Sequence, residues 1–228
     1  MPPVQRADVV LTELVIGDPP AAWADAGFTV GPDATCRMGG VTLRLVGREA
    51  GKGIRSWILA GGAEGIGTVD GHPTSRAACP APATTAATEP DVEPVDHPNG
   101  ALRVDHLVLM TPDRARTVSA LEAVGLEVRR VREAGPMYGA PTTQTFLRLG
   151  DVVLEVVAPE DPADGDSRFY GLAFDVQDID ALPDRYGQRL GRIKEAVQPG
   201  RRISTLRHKD FGLSVAIAFM TPASGASS

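Results

Sequence analysis

Two ionisable side chains stand where strand-forming sequence has no local use for them. His106 lies in VDHLVLMTP (104–112), among valines, leucines and a methionine, and Glu155 lies in VVLEVVAP (152–159). An imidazole at such a place can ligate a metal, move protons near neutral pH, or fill a small pocket through one hydrogen bond. A buried carboxylate needs a partner or must take up a proton, because an unpaired buried charge costs several kcal/mol. These two residues are therefore the candidates for chemistry. Arg148, between the leucines of FLRLG, and Arg207, in RISTLRH, are candidates for substrate binding, since a guanidinium holds a carboxylate or phosphate in bidentate fashion. The bland reading of Arg148 is an ion pair with Glu155. Arg201 and Arg202 follow a PG turn and read as solvated hairpin residues, and Tyr138, in GPMYGAP, reads as a loop aromatic.

The elements that must carry these residues repeat. LRVDHLVLM is an apolar strand, followed by the helical stretch TPDRARTVSALEAVGL, with Thr111 as its cap and Pro112 at its first position. Val118, Leu121 and Val124 give that helix one apolar face. Three strand-like pieces follow: LEVRRVREA, TQTFLRLG and VVLEVVAP. The pattern then restarts with YGLAFDV, a cap at Asp178 or Asp180, a short helix with Pro183 in its first turn, and three further strands, RIKEAVQ, RISTLRH and LSVAIAFM. Each unit reads β-α-β-β-β. Nearer the N-terminus, CRMGGVTLRLVG (36–47) aligns with LRLGDVVLEVVA (147–158), and LTELVIGDPPAAWADAG supplies a strand and a shorter helix. IRSWILAG (54–61) adds a strand. The expected organisation is an α+β chain: a shortened module over 1–62, a Gly- then Ala/Pro/Thr/acid-rich linker over 63–100, paired modules over 101–222 (101–160 and 168–222), and a tail over 223–228.

Composition narrows the function classes. The chain has 228 residues and a net charge of −6, and much of the acidity lies in two polar stretches, Glu89–Asp96 and Glu160–Asp166. The arginines are scattered, without a basic stripe or interleaved aromatics, so nucleic acid is not an expected partner. No apolar run approaches the roughly 20 residues that span a bilayer, and MPPVQRADVVLTELVIG lacks the basic start of a secretory leader. Cys36 and Cys79 lie far apart, without metal-type spacing. A cytoplasmic location and a small-molecule ligand are the expectations, with no membrane partner. The glycine-rich GGAEGIGTVDG (61–71) reads as loop, and neither a phosphate-binding loop nor a nucleophile elbow is present.

Tandem β-α-β-β-β units, with a histidine on the first strand of a module and a glutamate on its last, resemble the vicinal oxygen chelate superfamily, which includes glyoxalases, extradiol dioxygenases, methylmalonyl-CoA epimerases and bleomycin-resistance proteins. The resemblance covers 101–222 well and 8–61 weakly. It implies sheets that curl around a cup, and it places His106 and Glu155 at the metal-ligand positions of the first and fourth strands. The next module departs from the pattern: Gly171 stands opposite His106, and Ala216 or Ala218 opposite Glu155. In the N-terminal copy, Glu13 replaces the histidine and Arg44 the glutamate, and the two may be expected to have become an ion pair. Only two ligand-type residues therefore remain for one divalent ion (Zn, Fe, Mn or Ni), with Glu13, His97, His208 or a second subunit as sources of a third. The small residues at 171, 216 and 218 would leave room in the cup. Two small-molecule functions stay open, beside a purely structural or regulatory role. One is a metal-dependent isomerase, epimerase, lyase or dioxygenase using His106 and Glu155. The other is a metal-free binding or sequestering protein of the bleomycin-resistance type. A homodimer is one way to cover the apolar face of an unpaired module.

Overall fold

The computed structural model describes residues 9–61, 67–77, 95–137 and 140–223. Tyr138, Cys79 and the proline-rich centre of the expected linker lie outside them. The N-terminal strands are β1 (Val10–Ile16), β2 (Thr35–Met38), β3 (Val41–Leu45), β4 (Ile54–Ala60), β5 (Thr68–Val69) and β6 (His72–Ala77), with helix α1 (Pro20–Asp25) after β1. The C-terminal part contains β7 (Ala101–Met110), α2 (Arg114–Ala123), β8 (Val128–Met137), β9 (Ala140–Leu149) and β10 (Val152–Pro159). It continues with β11 (Arg168–Val176), α3 (Leu182–Tyr186), β12 (Lys194–Glu195), β13 (Arg202–Leu206) and β14 (Ala216–Met220). The fold is α+β, with strands in curled mixed sheets.

The eight-stranded sheet runs β12-β13-β14-β11-β7-β10-β9-β8. In each half the first strand pairs in parallel with the last, β7 with β10 and β11 with β14, and β7 meets β11 antiparallel at the centre. This is the β-α-β-β-β plan expected from the repeats. The alternation along β7 decides its faces: Val104, Leu107 and Leu109 are buried against the helix side, while their neighbours turn to the other, open face. The same rule buries Leu147 and Leu149 of β9, and Leu154 and Val156 of β10.

The six-stranded sheet runs β2-β3-β1-β4-β6-β5 and reuses the plan with parts missing. β1 is parallel to β3, as β7 is to β10, and one strand of the module is absent. β4 lies antiparallel to β1 and parallel to β6, so β4, β5 and β6 make a second reduced half, with no helix among the described residues. Sequence reading saw only the first of these halves. β5 and β6 fall inside the stretch assigned to linker, and Asp70–Gly71, part of the segment read as loop, is the turn between them. Both turn residues have positive φ, 46° and 81°, as a tight hairpin of this kind requires.

The two sheets share one core. Trp23 and Phe28, from α1 and the turn after it, meet Phe174 of β11, with Phe28–Phe174 ring centroids 5.2 Å apart. Polar ties reinforce the seam. The buried Asp18 carboxylate accepts from Ser214 N and Oγ and pairs with Arg48 at 2.6 Å. The Asp70 carboxylate accepts from Arg116 Nε (2.8 Å) and Thr117 Oγ1 (2.5 Å) on α2. The end of the expected linker belongs to this seam, because His97 and Asn99 are both buried.

Two local expectations change. Asp113, not Thr111, caps α2, accepting from the Arg116 backbone N–H at 3.0 Å, and Pro112 precedes the cap. Neither Asp178 nor Asp180 caps α3, where Ala181 holds that position, although Pro183 does fall in the first turn. Cys36 is fully buried, which pushes its thiol up to about 12 and makes it a packing residue.

Candidate functional site

The site is assembled by an irregularity in β7. Against β11, Ala173 pairs with His106 and Phe174 with Val104, so Asp105 is an extra residue, a β-bulge. In a regular strand Asp105 and His106 would point to opposite faces. The bulge lets both project from the open face, where the Asp105 carboxylate meets His106 Nδ1 at 2.7 Å. The parallel neighbour β10 brings Glu155 alongside, opposite Val108, with its carboxylate 3.9 Å from His106 Nε2. That is too long for a hydrogen bond. Both side chains are largely shielded, at 16 % and 15 % exposure, although they lie on the face that carries no helix.

Each member is held from behind. Gln144 of β9 donates Nε2 to Glu155 at 2.5 Å and accepts at its own carbonyl from Arg132 Nε of β8, also at 2.5 Å. On the other side Arg201 reaches Asp105 at 2.7 Å and Asp175 at 2.6 Å, and Arg103 closes the chain on Asp175 at 2.8 Å. Arg201 also donates to Thr221 O and to Gln198. It is 5 % exposed, so the reading of Arg201 as a solvated hairpin residue is wrong. Arg202 does face solvent and pairs with Asp180.

The electrostatics separate the carboxylates. Burial alone would raise Asp105, but the hydrogen bonds from His106 and Arg201 overcome it and bring its pKa down to about 2. Burial raises Glu155, with the Asp105 charge adding to it and His106 and Arg132 opposing. Burial also raises Asp175 against the pull of Arg103. With Asp105 ionised, His106 Nδ1 donates to it, which leaves Nε2 as the ring nitrogen facing Glu155. An imidazole nitrogen and a carboxyl whose pKa is raised by burial thus stand side by side on the open face. Such a pair can take a proton from one atom of a bound molecule and deliver one to another.

The other expected residues fare unevenly. Arg148 shares the face of Gln144 and Phe146 on β9, but it reaches the Asp151 carbonyl at 3.4 Å, and no ion pair joins it to Glu155 among the described residues. Arg207 lies beyond the end of β13, exposed, away from the rows that hold His106. Gly171 and Ala216 are register partners, as are Ala173 and Ala218, which settles Ala218 as the counterpart of Glu155. The room expected at Gly171 is absent: a Cβ there would lie 2.6 Å from the Ala216 carbonyl oxygen.

Of the sources considered for a third metal ligand, Glu13 and His97 are engaged elsewhere. Glu13 accepts two hydrogen bonds from Arg44, at 2.7 and 2.9 Å, so that pair is an ion pair. His97 accepts at Nδ1 from the Thr29 N–H (3.0 Å), and its Nε2 meets the Arg37 carbonyl (2.8 Å). His208 sits in the turn before β14. Among the described residues, no three His, Cys, Asp or Glu side chains form a group that could hold a metal.

The sequence gives no expectation for Asp105, Gln144, Arg132 and Asp175, and it gives the wrong one for Arg201. A signal existed for two of them: an aspartate inside VDHLVLM and another inside YGLAFDV are out of character for buried strands and require a cation or a donor.

No family model matches the sequence, and no curated protein is significantly similar to it. Solved structures are similar in shape. A mutant 4-hydroxymandelate synthase from Streptomyces coelicolor superposes with TM-score 0.62 at 16 % identity, covering 98 % of this chain and 94 % of that one. A xylose isomerase-like TIM barrel/4-hydroxyphenylpyruvate dioxygenase fusion protein gives 0.60 at 14 % identity over 100 % of this chain and 51 % of its own. Methylmalonyl-CoA epimerase from Mycobacterium tuberculosis gives 0.43 at 19 % identity, covering 54 % of this chain and 90 % of that one.

Proposed function

For a chain that carries the vicinal oxygen chelate fold, we propose a small-molecule site on the open face of β7, β9 and β10, with proton transfer between His106 and Glu155 as its chemistry. The observation that carries this is the Asp105–His106–Glu155 arrangement: one ring nitrogen held at 2.7 Å, the other aimed at a carboxyl 3.9 Å away. His106 acts as the base, and Asp105 fixes its tautomer and stabilises the imidazolium that forms. Glu155, whose pKa burial raises, supplies in its acid form a proton to an oxygen of the same molecule. Reactions of this kind are isomerisations or epimerisations at a carbon next to a carbonyl.

A resident metal does not fit the donor set. A catalytic zinc takes about three protein ligands, and the described residues offer two side chains here, His106 and Glu155, with Gly171 and Ala218 at the matching positions. A second reading keeps a divalent ion on His106 and Glu155, its remaining positions filled by the bound molecule. It is favoured by the Asp105 carboxylate on Nδ1, an arrangement that orients metal-binding histidines. No step is assigned to such an ion.

The test is hydrogen exchange. A panel of 2-oxo acids and their esters is incubated with the protein in heavy water, and deuterium entering the carbon beside the carbonyl is followed by NMR. Exchange above the buffer rate, lost in His106→Ala and reduced in Glu155→Gln, is the expected outcome. Equal exchange in wild type and His106→Ala would refute the reading, and elemental analysis of the same samples separates the metal-assisted version.

A further inference from the structure

The strand register places three arginines on one side of the open face; Arg132 acts through space on Glu155, and neither Arg130 nor Arg148 has an ion-pair partner among the described residues. Arg130 pairs across β8 and β9 with Phe146, Arg132 pairs with Gln144, and Arg148 follows Phe146 by two along β9. Directly paired residues share a face, and residues two apart on one strand lie about 7 Å from each other on it. Phe146 is therefore bordered by Arg130 across the ladder and Arg148 along its own strand, and Glu155 is its partner on the other neighbour, β10.

What these guanidinium groups touch is informative. Arg132 uses Nε on Gln144, and no other hydrogen bond of its side chain is formed among the described residues. Arg148 makes one long contact to a backbone carbonyl, and Arg130 forms no ion pair among the described residues. Of the acids around this face, Glu127 pairs with Arg129, Glu155 accepts from Gln144, and Asp105 and Asp175 are bound to Arg201 and Arg103. Beside the arginines the floor is apolar, with Phe146, Val153 and Val108 half-buried on the same rows as Glu155 and His106.

Resting on the reading of this face as the site, we infer that its ligand is a small organic acid. Its oxyanion head is held between Arg130 and Arg148, with Arg132 on the flank, and its apolar body lies over Phe146 toward His106. Arginine suits this because its planar fork takes a carboxylate or a phosphate in paired hydrogen bonds. Arg132 has a further role, linking the bound anion through Gln144 to Glu155. The expected binder Arg148 keeps its part, and Arg130 and Arg132 replace Arg207.

The experiment titrates the full chain with phenylacetate, phenyl phosphate and the neutral phenylacetamide by calorimetry. It compares wild type, the double variant Arg130→Gln/Arg148→Gln, the lysine double variant, and His106→Ala. At least one anion should saturate wild type, with the amide weaker by about tenfold or more. The glutamine variant should lose about the same factor, the lysine variant should retain part of the affinity, and added salt should weaken binding. Whichever anion binds tighter identifies the head as carboxylate or phosphate. The inference is overturned if the amide binds as tightly as the acids, if the glutamine variant binds them undiminished while remaining folded by circular dichroism, or if neither acid saturates wild type at millimolar concentration. His106→Ala separates the two readings: acid binding that survives there, without His106-dependent exchange in wild type, leaves the anion site standing and removes only the proton-transfer chemistry.

Discussion

Replacing Arg201 with methionine should cost the protein much of its stability, and the loss should depend on pH in a definite direction. The guanidinium is shared by Asp105 and Asp175, whose side chains are 10 % and 0 % exposed. Asp105 falls from 3.8 to about 2 on folding, which corresponds to roughly 2 kcal/mol of stability at neutral pH. A carboxylate with a depressed folded pKa contributes above its unfolded value and loses that contribution as pH falls from 3.8 toward 2. Methionine fills a similar length but leaves two adjacent buried acids with Arg103 and His106 as their remaining partners. Breaking a buried pair in this way costs about 3–5 kcal/mol, against a total of about 5–15 kcal/mol for a typical domain. The stranded carboxylates can escape by taking up protons, so the deficit is largest near pH 7 and shrinks toward about pH 4. Urea denaturation at both pH values measures it, with an unchanged m value required for the comparison. Adding Asp175→Asn to Arg201→Met should recover part of the loss. A deficit below about 1 kcal/mol at pH 7, or one that is equal at both pH values, would contradict a buried network and return Arg201 to the solvated role.

Glu155→Gln should raise the melting temperature at neutral pH, because a carboxyl whose folded pKa is raised loses stability as pH climbs from its unfolded value through the folded one. The gain should vanish in acid, which thermal scans across pH can check. Arg44→Glu, at an ion pair whose arginine is 45 % exposed, should cost only about 1 kcal/mol, and reversing Glu13 to arginine as well should restore most of it. Gly171→His, which would rebuild the missing ligand position, should instead lower stability by about 2 kcal/mol or more through the clash with Ala216, without strengthening zinc binding in a calorimetric titration.

The plan of the large sheet was legible because period-two alternation and turn residues determine it locally. VDHLVLM, TFLRLG and VVLEVVAP each declare which face is buried, and the repeat supplies the order of strands. His106 and Glu155 were visible for the converse reason, as polar residues in apolar strands. The residues around them were hidden by long-range facts. Asp105 joins His106 only through a bulge that depends on pairing with β11, and alternation alone assigns it to the wrong face. Arg201 follows a turn that looks exposed, and its burial is decided by acids 26 and 96 positions earlier in the chain, at Asp175 and Asp105. The second N-terminal half was missed because glycines in GGAEGIGTVDG suggested loop, although Asp70–Gly71 carries a hairpin signal of its own. Gly171 looked like empty space. A residue type reports the absence of a side chain but not what a neighbouring strand has placed there.

The bulge at Asp105 also has a bearing on inheritance. In a strand, whether a residue is odd or even is a coordinate, and inserting one residue exchanges inside and outside for everything beyond it. Here the added residue is absorbed where it stands, so Val104 before it and Leu107 after it both remain in the core. The carboxylate that holds the imidazole can therefore be gained or lost as a single-codon insertion or deletion, with the rest of the strand keeping its parity. Among relatives of this chain, the feature that tracks the chemistry would be the length of this strand: an alignment that closes the gap at residue 105 would pair the right letters on the wrong faces.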